Sequence, residues 1–173
     1  MREFPSPSPL LPEILALHGR WRGHRDAVIT ATDRISWASF CADNHRFAHG
    51  LHSAGIQPGD RVGVFMSNGY PMLTALFGTM AAGAVSVPLN TSVSDEAIVA
   101  MFRDADIRAL LVSADTRARI DQLLPQLPEE LSCFCDEQAP RWRSFDELAA
   151  GHSDAPPAVV IDDDAPLNII YSS

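Results

Sequence analysis

Hydrophobic and polar positions alternate in short blocks along this chain, and the longest uncharged block lies between Arg61 and Asp95. The 33 positions between these residues contain no Asp, Glu, Lys or Arg, so the block must be buried in protein or in lipid. A helix needs about 20 consecutive apolar residues to cross a bilayer. Glycines, prolines and the polar pair Ser67 and Asn68 interrupt the block at shorter intervals. The pattern therefore predicts protein core and no membrane span.

Within this block the pattern predicts a strand, a helix and a second strand. Residues 62–66 form a continuous apolar run, as expected of a strand that is covered on both faces of a parallel sheet. Ser67 or Asn68 is predicted to cap the following helix, and Gly83 to end it. Residues 84–89 then form the next strand, which completes a βαβ unit. One helical face is expected to carry the large apolar residues, with small residues allowing close packing: Leu73, Leu76, Phe77 and Met80, with Ala75, Gly78, Ala81 and Ala82.

The remaining blocks continue the alternation of strands and helices. Further strands are predicted at residues 27–30 and 34–36 as a hairpin, and at 109–112, 131–135 and 167–171. Further helices are predicted at residues 10–21, 36–54, 94–105, 113–124 and 144–150. Such alternation predicts an α/β fold, a mostly parallel β-sheet flanked by helices on both faces. We expect residues 1–26 to form a lead-in and short helix, and residues 27–173 to form the α/β domain.

Composition narrows the classes of function. The chain of 173 residues has a formal charge of -9, and all 13 basic residues are Arg, so there is no Lys. An acidic chain without a basic cluster is a poor binder of nucleic acid, because that affinity comes largely from neutralising phosphates. Three cysteines are too few for a disulfide framework and indicate a reducing compartment. Without a secretory signal pattern at the N-terminus, we expect a cytoplasmic location.

Three groups of residues were considered as metal ligands, and a role other than metal binding is favoured for each: His45, His49 and His52 on one helix; Cys133 and Cys135; and the acidic run 162–164. The histidines lie opposite the apolar face of their helix, which predicts a solvated face. The cysteines lack the spacing and the further ligands of a zinc site, so we expect them to face the core. Adjacent carboxylates on a loop are usually solvated. No metal site is therefore predicted.

The turn from Ser67 to Tyr70 is a candidate binding feature of a different kind. It lies at the carboxyl end of a strand and the amino end of a helix, where open α/β sheets bind ligands and where helix amides favour anions. A structural cap is the favoured role for these residues. The chain contains none of four common phosphate-binding or hydrolase motifs: G-x-x-x-x-G-K-[ST], G-x-G-x-x-G, G-x-S-x-G and H-E-x-x-H.

The spacing of single residues identifies no active site, but the order of several longer segments resembles a known family. The segments RISWASF, RFAHGLHSAGIQPGDRVGVFMSN, FGTMAAGAVSVPLNTSVSDEAI and ALLVS occur in this order. Together they resemble the N-terminal region of AMP-forming acyl-CoA synthetases, which are members of the adenylate-forming superfamily. The most specific pieces are residues 55–62 (GIQPGDRV) and residues 82–90 (AGAVSVPLN). The resemblance runs from about Ala27 to the last residue.

The resemblance implies a role for the last three residues. In this family, the strand that corresponds to residues 167–171 leads into a phosphate-binding loop that is rich in Ser, Thr and Gly and ends in Lys. Tyr171, Ser172 and Ser173 match only the start of that loop. The parent enzyme would use ATP, Mg²⁺ and coenzyme A to convert a carboxylic acid into an acyl-adenylate and then a thioester. We expect the 173-residue chain alone to hold no catalytic residues, to bind none of these cofactors and to be inactive.

Two other interpretations stay open. The chain could come from an amino-acid adenylation domain, although Asn90 stands where such domains usually carry Asp and residues 82–86 differ from their A-G-G-A-Y pattern. It could instead be a noncatalytic α/β module that binds a partner through a sheet edge or an apolar patch. If the chain is a truncated domain, surface that is normally covered would be exposed, so we expect self-association.

Overall fold

The computed structural model describes residues 9–172. Its strands are β1 (Asp26–Ile29), β2 (Arg34–Ser36), β3 (Arg61–Phe65), β4 (Val85–Pro88), β5 (Ile107–Val112), β6 (Ser132–Cys135) and β7 (Arg143–Ser144). Its α-helices are α1 (Leu11–Trp21), α2 (Trp37–Ser53), α3 (Tyr70–Ala81), α4 (Asp95–Asp104), α5 (Ala114–Leu123) and α6 (Phe145–Ala149), and a 3-10 turn follows α5 at Leu124–Gln126. No helix in the described part of the chain is long and apolar enough to cross a membrane.

Five strands form one parallel sheet in the order β4-β3-β5-β6-β7, while β1 and β2 form a separate antiparallel hairpin. The predicted mostly parallel sheet and the predicted hairpin are therefore confirmed. Strand β7 was not predicted, because two residues are too few to show a period. The predicted strand at 167–171 is reduced to one parallel bridge between Asn168 and Ser86 on the outer edge of β4.

The sheet separates two hydrophobic clusters. Helices α2, α3 and α6 cover one face, and their cluster includes Phe47, Ala75 and Leu148. Helices α4 and α5 cover the opposite face, and their cluster includes Phe102 and Ile120. Adjacent strand residues point to opposite sides, so consecutive apolar residues of a parallel strand enter both clusters. This arrangement confirms the prediction of helices on both faces.

Helix α3 is rotated relative to the sequence prediction. Its most buried residues are mainly small or polar: Thr74, Ala75, Gly78, Thr79, Met80 and Ala81. The large residues Leu73, Leu76 and Phe77 are only half-buried. A Cβ atom on Gly78 would lie 2.7 Å from Cδ1 of Phe47 in α2. The predicted close packing through small residues is therefore confirmed, but the predicted burial of the large face is correct only for Met80.

The two segments that carried the family resemblance meet at the amino end of the sheet. The Gly59 amide donates to the Gly83 carbonyl at 2.9 Å, and the Val85 amide donates to the Asp60 carbonyl at 2.8 Å. Both glycines have positive φ, 85° at Gly59 and 72° at Gly83, which residues with a Cβ adopt only with strain. These turns align β3 and β4 and end α3, so their role is in the scaffold.

Candidate functional site

The carboxyl ends of β3 and β5 mark the candidate site, because the order of the strands reverses between them. Strand β4 follows β3 on one side, whereas β5 and then β6 lie on the other. Open α/β sheets bind ligands at such a switch point. The turn from Ser67 to Tyr70 follows β3, and Ser113 follows β5, so both lie at this position.

Local hydrogen bonds join these two strand ends. The Ser67 amide donates to Oγ of Ser113 at 3.0 Å, and Oγ of Ser67 donates to Oδ2 of Asp115 at 2.5 Å. The buried Thr116 hydroxyl donates to the Phe65 carbonyl at 2.7 Å. Hydrogen bonds from Ser113 and Ser67 lower the pKa of Asp115, which is exposed. These hydrogen bonds favour the charged form of the carboxylate, so Asp115 places a negative charge beside the turn.

These contacts also correct the predicted cap of α3. The N-cap residue is Gly69, which has no side chain to accept a hydrogen bond. Ser67 instead bonds to residues that lie more than 40 positions later in the chain. The turn therefore joins β3 to the start of α5, and the structural role that we favoured for it holds by a different contact.

Asp136, which follows β6, extends the row of polar groups along the same edge of the sheet. Its Oδ1 accepts a hydrogen bond from the Ala114 amide at 2.8 Å, which satisfies one of the unpaired donors at the start of α5. Burial raises the pKa of Asp136, and the Ala114 hydrogen bond opposes that rise only in part. Its carboxylate therefore acts at a helix end and is held in a partly desolvated position.

The loop after β4 is fixed by Arg119 of α5. The Arg119 guanidinium donates to Oδ1 of Asp95 at 2.7 Å, to the Thr91 carbonyl at 2.7 Å and to the Val93 carbonyl. The same group lies over the Phe65 ring, 5.7 Å from its centroid. One planar cation thus binds three acceptors of the loop. It holds the segment between β4 and α4 beside the carboxyl edge of the sheet.

The C-terminal segment adds to the outer edge of β4. The Ser86 amide donates to the Leu167 carbonyl at 3.3 Å, and the Ile169 amide donates to the Ser86 carbonyl at 2.9 Å. Tyr171 is half-buried against α4, and its hydroxyl donates to Oδ2 of Asp104 at 2.6 Å. Ser172 is exposed. Ser173, the last of the three predicted loop residues, lies outside the described residues.

The three groups that were considered as metal ligands lie apart from one another in the fold or at its surface. Across residues 9–172 no group of three or more His, Cys, Asp or Glu side chains could hold a metal ion. The acidic run 162–164 is exposed. Cys135 is buried, Cys133 packs against the same cluster, and both are free thiols. The prediction that these two cysteines face the core is confirmed.

The three histidines of α2 have a role that the sequence did not reveal. The prediction of a solvated face is wrong, because all three side chains are half-buried. A ring nitrogen of His45 lies 2.8 Å from the Asp154 carbonyl, one of His49 lies 3.0 Å from the Ala155 carbonyl, and one of His52 lies 2.9 Å from the Ala82 carbonyl. Two of them hold the segment after α6 against α2. These partners lie about 30 to 110 positions away, so helical periodicity could not have identified them.

Comparison with known proteins identifies the family of this chain. The family model of the AMP-binding enzyme matches residues 17–173. A linear gramicidin synthase from Brevibacillus parabrevis is 30% identical over 148 residues, which cover 85% of this chain and 2% of that protein. A medium/long-chain-fatty-acid–CoA/3-oxocholest-4-en-26-oate–CoA ligase of Mycolicibacterium smegmatis is 28% identical over 105 residues, which cover 61% of this chain and 19% of that protein.

A solved structure shares the fold. The anthranilate CoA ligase AuaEII, in complex with anthranoyl-AMP, superposes with a TM-score of 0.87 at 20% identity. The match covers 94% of this chain and 32% of that one. The chain therefore spans at most about a third of the length of these relatives.

Proposed function

The chain belongs to the AMP-binding enzyme family, and from this membership we propose that it forms the N-terminal part of an ATP-dependent carboxylic acid–CoA ligase. In the proposed reaction a carboxylate oxygen attacks the α-phosphorus of ATP and pyrophosphate leaves. The sulfur of coenzyme A then attacks the acyl carbon and AMP leaves. The observation that carries the proposal is the parallel bridge between Asn168 and Ser86, which joins the segment before the predicted phosphate-binding residues to the free edge of β4.

The residues present fit only the beginning of a phosphate site. The structure shows no hydrogen bond from the Tyr171 or Ser172 amide to any of residues 9–172, and the Ser172 side chain is exposed. Amides and hydroxyls of this kind are suitable donors to phosphate oxygens. Because all basic residues of the chain are Arg, it cannot supply a lysine to these oxygens. Mg²⁺ would add positive charge at the phosphates when bound. The proposed contribution of this chain is therefore scaffold and the first donors.

The test of this proposal is acid-dependent exchange of labelled pyrophosphate into ATP. We expect a full-length protein that contains this chain to catalyse the exchange with a carboxylic acid, and to form a thioester when coenzyme A is added. We expect the isolated 173-residue chain to give no exchange above background. Exchange by the isolated chain would refute its assignment as a scaffold without the catalytic groups, and a full-length protein without exchange would refute the ligase proposal.

Amino-acid adenylation is the second candidate function, because one of the relatives is a gramicidin synthase. The same assay separates the two candidates. A CoA ligase will catalyse pyrophosphate exchange with carboxylic acids and will transfer the acyl group to free coenzyme A. An amino-acid adenylation domain will catalyse the exchange only with amino acids. Asn90 and the residues from Ala82 to Ser86 favour the CoA ligase.

We further propose a cytoplasmic location and self-association of the isolated chain. The location is supported by free thiols at Cys41, Cys133 and Cys135.

Self-association is supported by three exposed apolar side chains on either side of the bridge to β4. Val160, Leu167 and Ile170 are 88%, 39% and 70% exposed, respectively. Sedimentation velocity over a range of concentrations tests this. We expect the sedimentation coefficient to rise with concentration, and Ile170→Ser to reduce this rise. A strictly monomeric chain would refute self-association and favour a stand-alone noncatalytic module.

A further inference from the structure

We propose that Tyr171 is a positioning residue that fixes the phosphate-binding segment to α4 through Asp104, and that its hydroxyl does not contact phosphate. This inference rests on the proposed function for its importance to catalysis. The contact itself is independent of that function. It changes the role that the family resemblance implied for Tyr171, because that resemblance grouped Tyr171 with Ser172 and Ser173 as residues of the phosphate-binding loop.

The segment is attached to the domain by two different kinds of contact. Its main chain is bonded to β4 through the Ile169 amide and the Ser86 carbonyl, at 2.9 Å. Its side chains Ile169 and Tyr171 pack against the hydrophobic cluster under α4 and α5. Beyond Ile169, the only hydrogen bonds that link residues 170–172 to the rest of the described chain come from the Tyr171 hydroxyl. The Tyr171 side chain is therefore the last polar attachment before the predicted loop.

The intervening residue does not contribute to this attachment. Ile170 is 70% exposed, so the alternation of an extended chain turns Ile169 and Tyr171 inward and Ile170 outward. Without the Tyr171 hydroxyl contact, no hydrogen bond beyond Ile169 would join residues 170–172 to the rest of the described chain. A single hydroxyl that bonds to a carboxylate is well suited to set its position, because hydrogen bonds to charged groups are short and directional.

The surroundings of the hydroxyl exclude it as a phosphate ligand. Its proton is directed to Oδ2 of Asp104 at 2.6 Å, and the Met101 carbonyl oxygen lies 3.4 Å away. Both neighbours are acceptors, and Asp104 is an anion that would repel phosphate oxygens. Burial and the Asp104 contact raise the pKa of Tyr171 to about 12, so the hydroxyl stays protonated and bonded at neutral pH. Phosphate would have to displace this carboxylate to receive the proton.

The molecule contains a matched pair that serves as a control. The Tyr70 hydroxyl donates to Oδ2 of Asp43, also at 2.6 Å, and joins α3 to α2. It has the same chemistry and the same distance but does not touch the C-terminal segment. Removing the Tyr70 hydroxyl therefore tests the general cost of losing a tyrosine–aspartate hydrogen bond.

Amide hydrogen exchange of Ile169 in the 173-residue chain tests the contact directly. We expect Tyr171→Phe and Asp104→Ala each to accelerate this exchange about tenfold, because a hydrogen bond to a charged group contributes roughly 1.5 kcal/mol. The double variant should exchange no faster than either single variant, since both remove the same bond. Tyr70→Phe should leave Ile169 unchanged. Unchanged exchange in Tyr171→Phe, or multiplied effects in the double variant, would overturn the proposal.

The full-length protein tests whether the contact positions the loop. In the pyrophosphate exchange assay, Tyr171→Phe should raise the KM for ATP in the wild-type background and have no further effect in the Asp104→Ala background. If the hydroxyl bound phosphate, the Tyr171→Phe effect would persist without Asp104, and this result would overturn the positioning role. A full-length protein without any exchange activity would refute the proposed function, while the Ile169 measurement would still decide the Tyr171–Asp104 contact.

Discussion

Replacing Gly50 with Ala should undock helix α6 from α2. Gly50 lies inside α2, and an added Cβ atom would overlap the carbonyl oxygen of Leu148 and lie 2.8 Å from its carbonyl carbon. These are backbone atoms, so no side-chain rotation can relieve the overlap. Helix α6 carries two buried residues, Phe145 and Leu148, and the Phe145 ring packs on Phe47 at a centroid distance of 4.9 Å.

The expected change in the free energy of unfolding is the difference between two opposing effects. Overpacking costs typically 1–3 kcal/mol, and contact with backbone places this site near about 3 kcal/mol. Removing a glycine from a helix interior returns roughly 1 kcal/mol through helix propensity. We therefore expect Gly50→Ala to destabilise the chain by about 2 kcal/mol. Ser53→Ala is the matched control, because Ser53 is exposed near the end of the same helix and changes propensity without a steric conflict.

Urea denaturation and a double variant measure this effect and its mechanism. Leu148→Ala alone should cost about 2–5 kcal/mol, since Leu148 is fully buried. If Gly50→Ala has already undocked α6, adding Leu148→Ala should cost much less than it does alone. A Gly50→Ala chain as stable as Ser53→Ala would refute the steric argument. Full additivity in the double variant would show that α6 stays docked, which would refute the undocking mechanism.

Two further predictions concern the carboxyl edge of the sheet. Arg119→Ala should lower the free energy of unfolding by about 1–2 kcal/mol and accelerate amide exchange in residues 90–94. Arg119→Lys should restore only part of this stability, because an ammonium cannot reproduce the planar fork that binds three acceptors. Full rescue by Lys would contradict this argument. Burial raises the pKa of Asp136 in the native state. Between the ordinary Asp pKa and this raised pKa, the native carboxyl keeps a proton that the unfolded chain has lost. The free energy of unfolding should therefore fall as the pH rises through this range. Asp136→Asn should flatten this part of the urea-midpoint profile. Glu129→Gln, at an exposed carboxylate before β6, should leave it unchanged. An unaltered profile in Asp136→Asn would contradict the assignment.

The elements of the fold could be predicted because their signals are local. Short apolar runs, helix caps and glycines at helix ends lie within a few residues of the structure that they define. The βαβ unit around α3 is the clearest case, since its strands and the Gly83 turn are found where expected. The mostly parallel sheet then followed from the repeated alternation of strands and helices.

The contacts at the candidate site could not be predicted because they join distant residues. Ser67 has the residue type and position of a helix cap, yet its hydroxyl bonds to Asp115, 48 positions later. The three histidines of α2 have the spacing of a solvated face, yet two of them bond to the chain after α6. A polar side chain takes whichever partner the fold brings within reach, and a local pattern contains no information about that partner.

The two most specific family segments and the predicted phosphate-binding residues lie in different parts of the fold. Their roles in the structure are also different. Residues 55–62 and 82–90 meet through the Gly59–Gly83 hydrogen bond at the amino end of the sheet, where they set the alignment of β3 and β4. Strand β4 in turn supplies Ser86, the residue that pairs with the C-terminal segment. A substitution with a Cβ at Gly59 or Gly83 would strain a left-handed turn and shift β4. The family segments are therefore connected, through β4 and its bridge to Asn168, to the segment that precedes the predicted phosphate-binding residues.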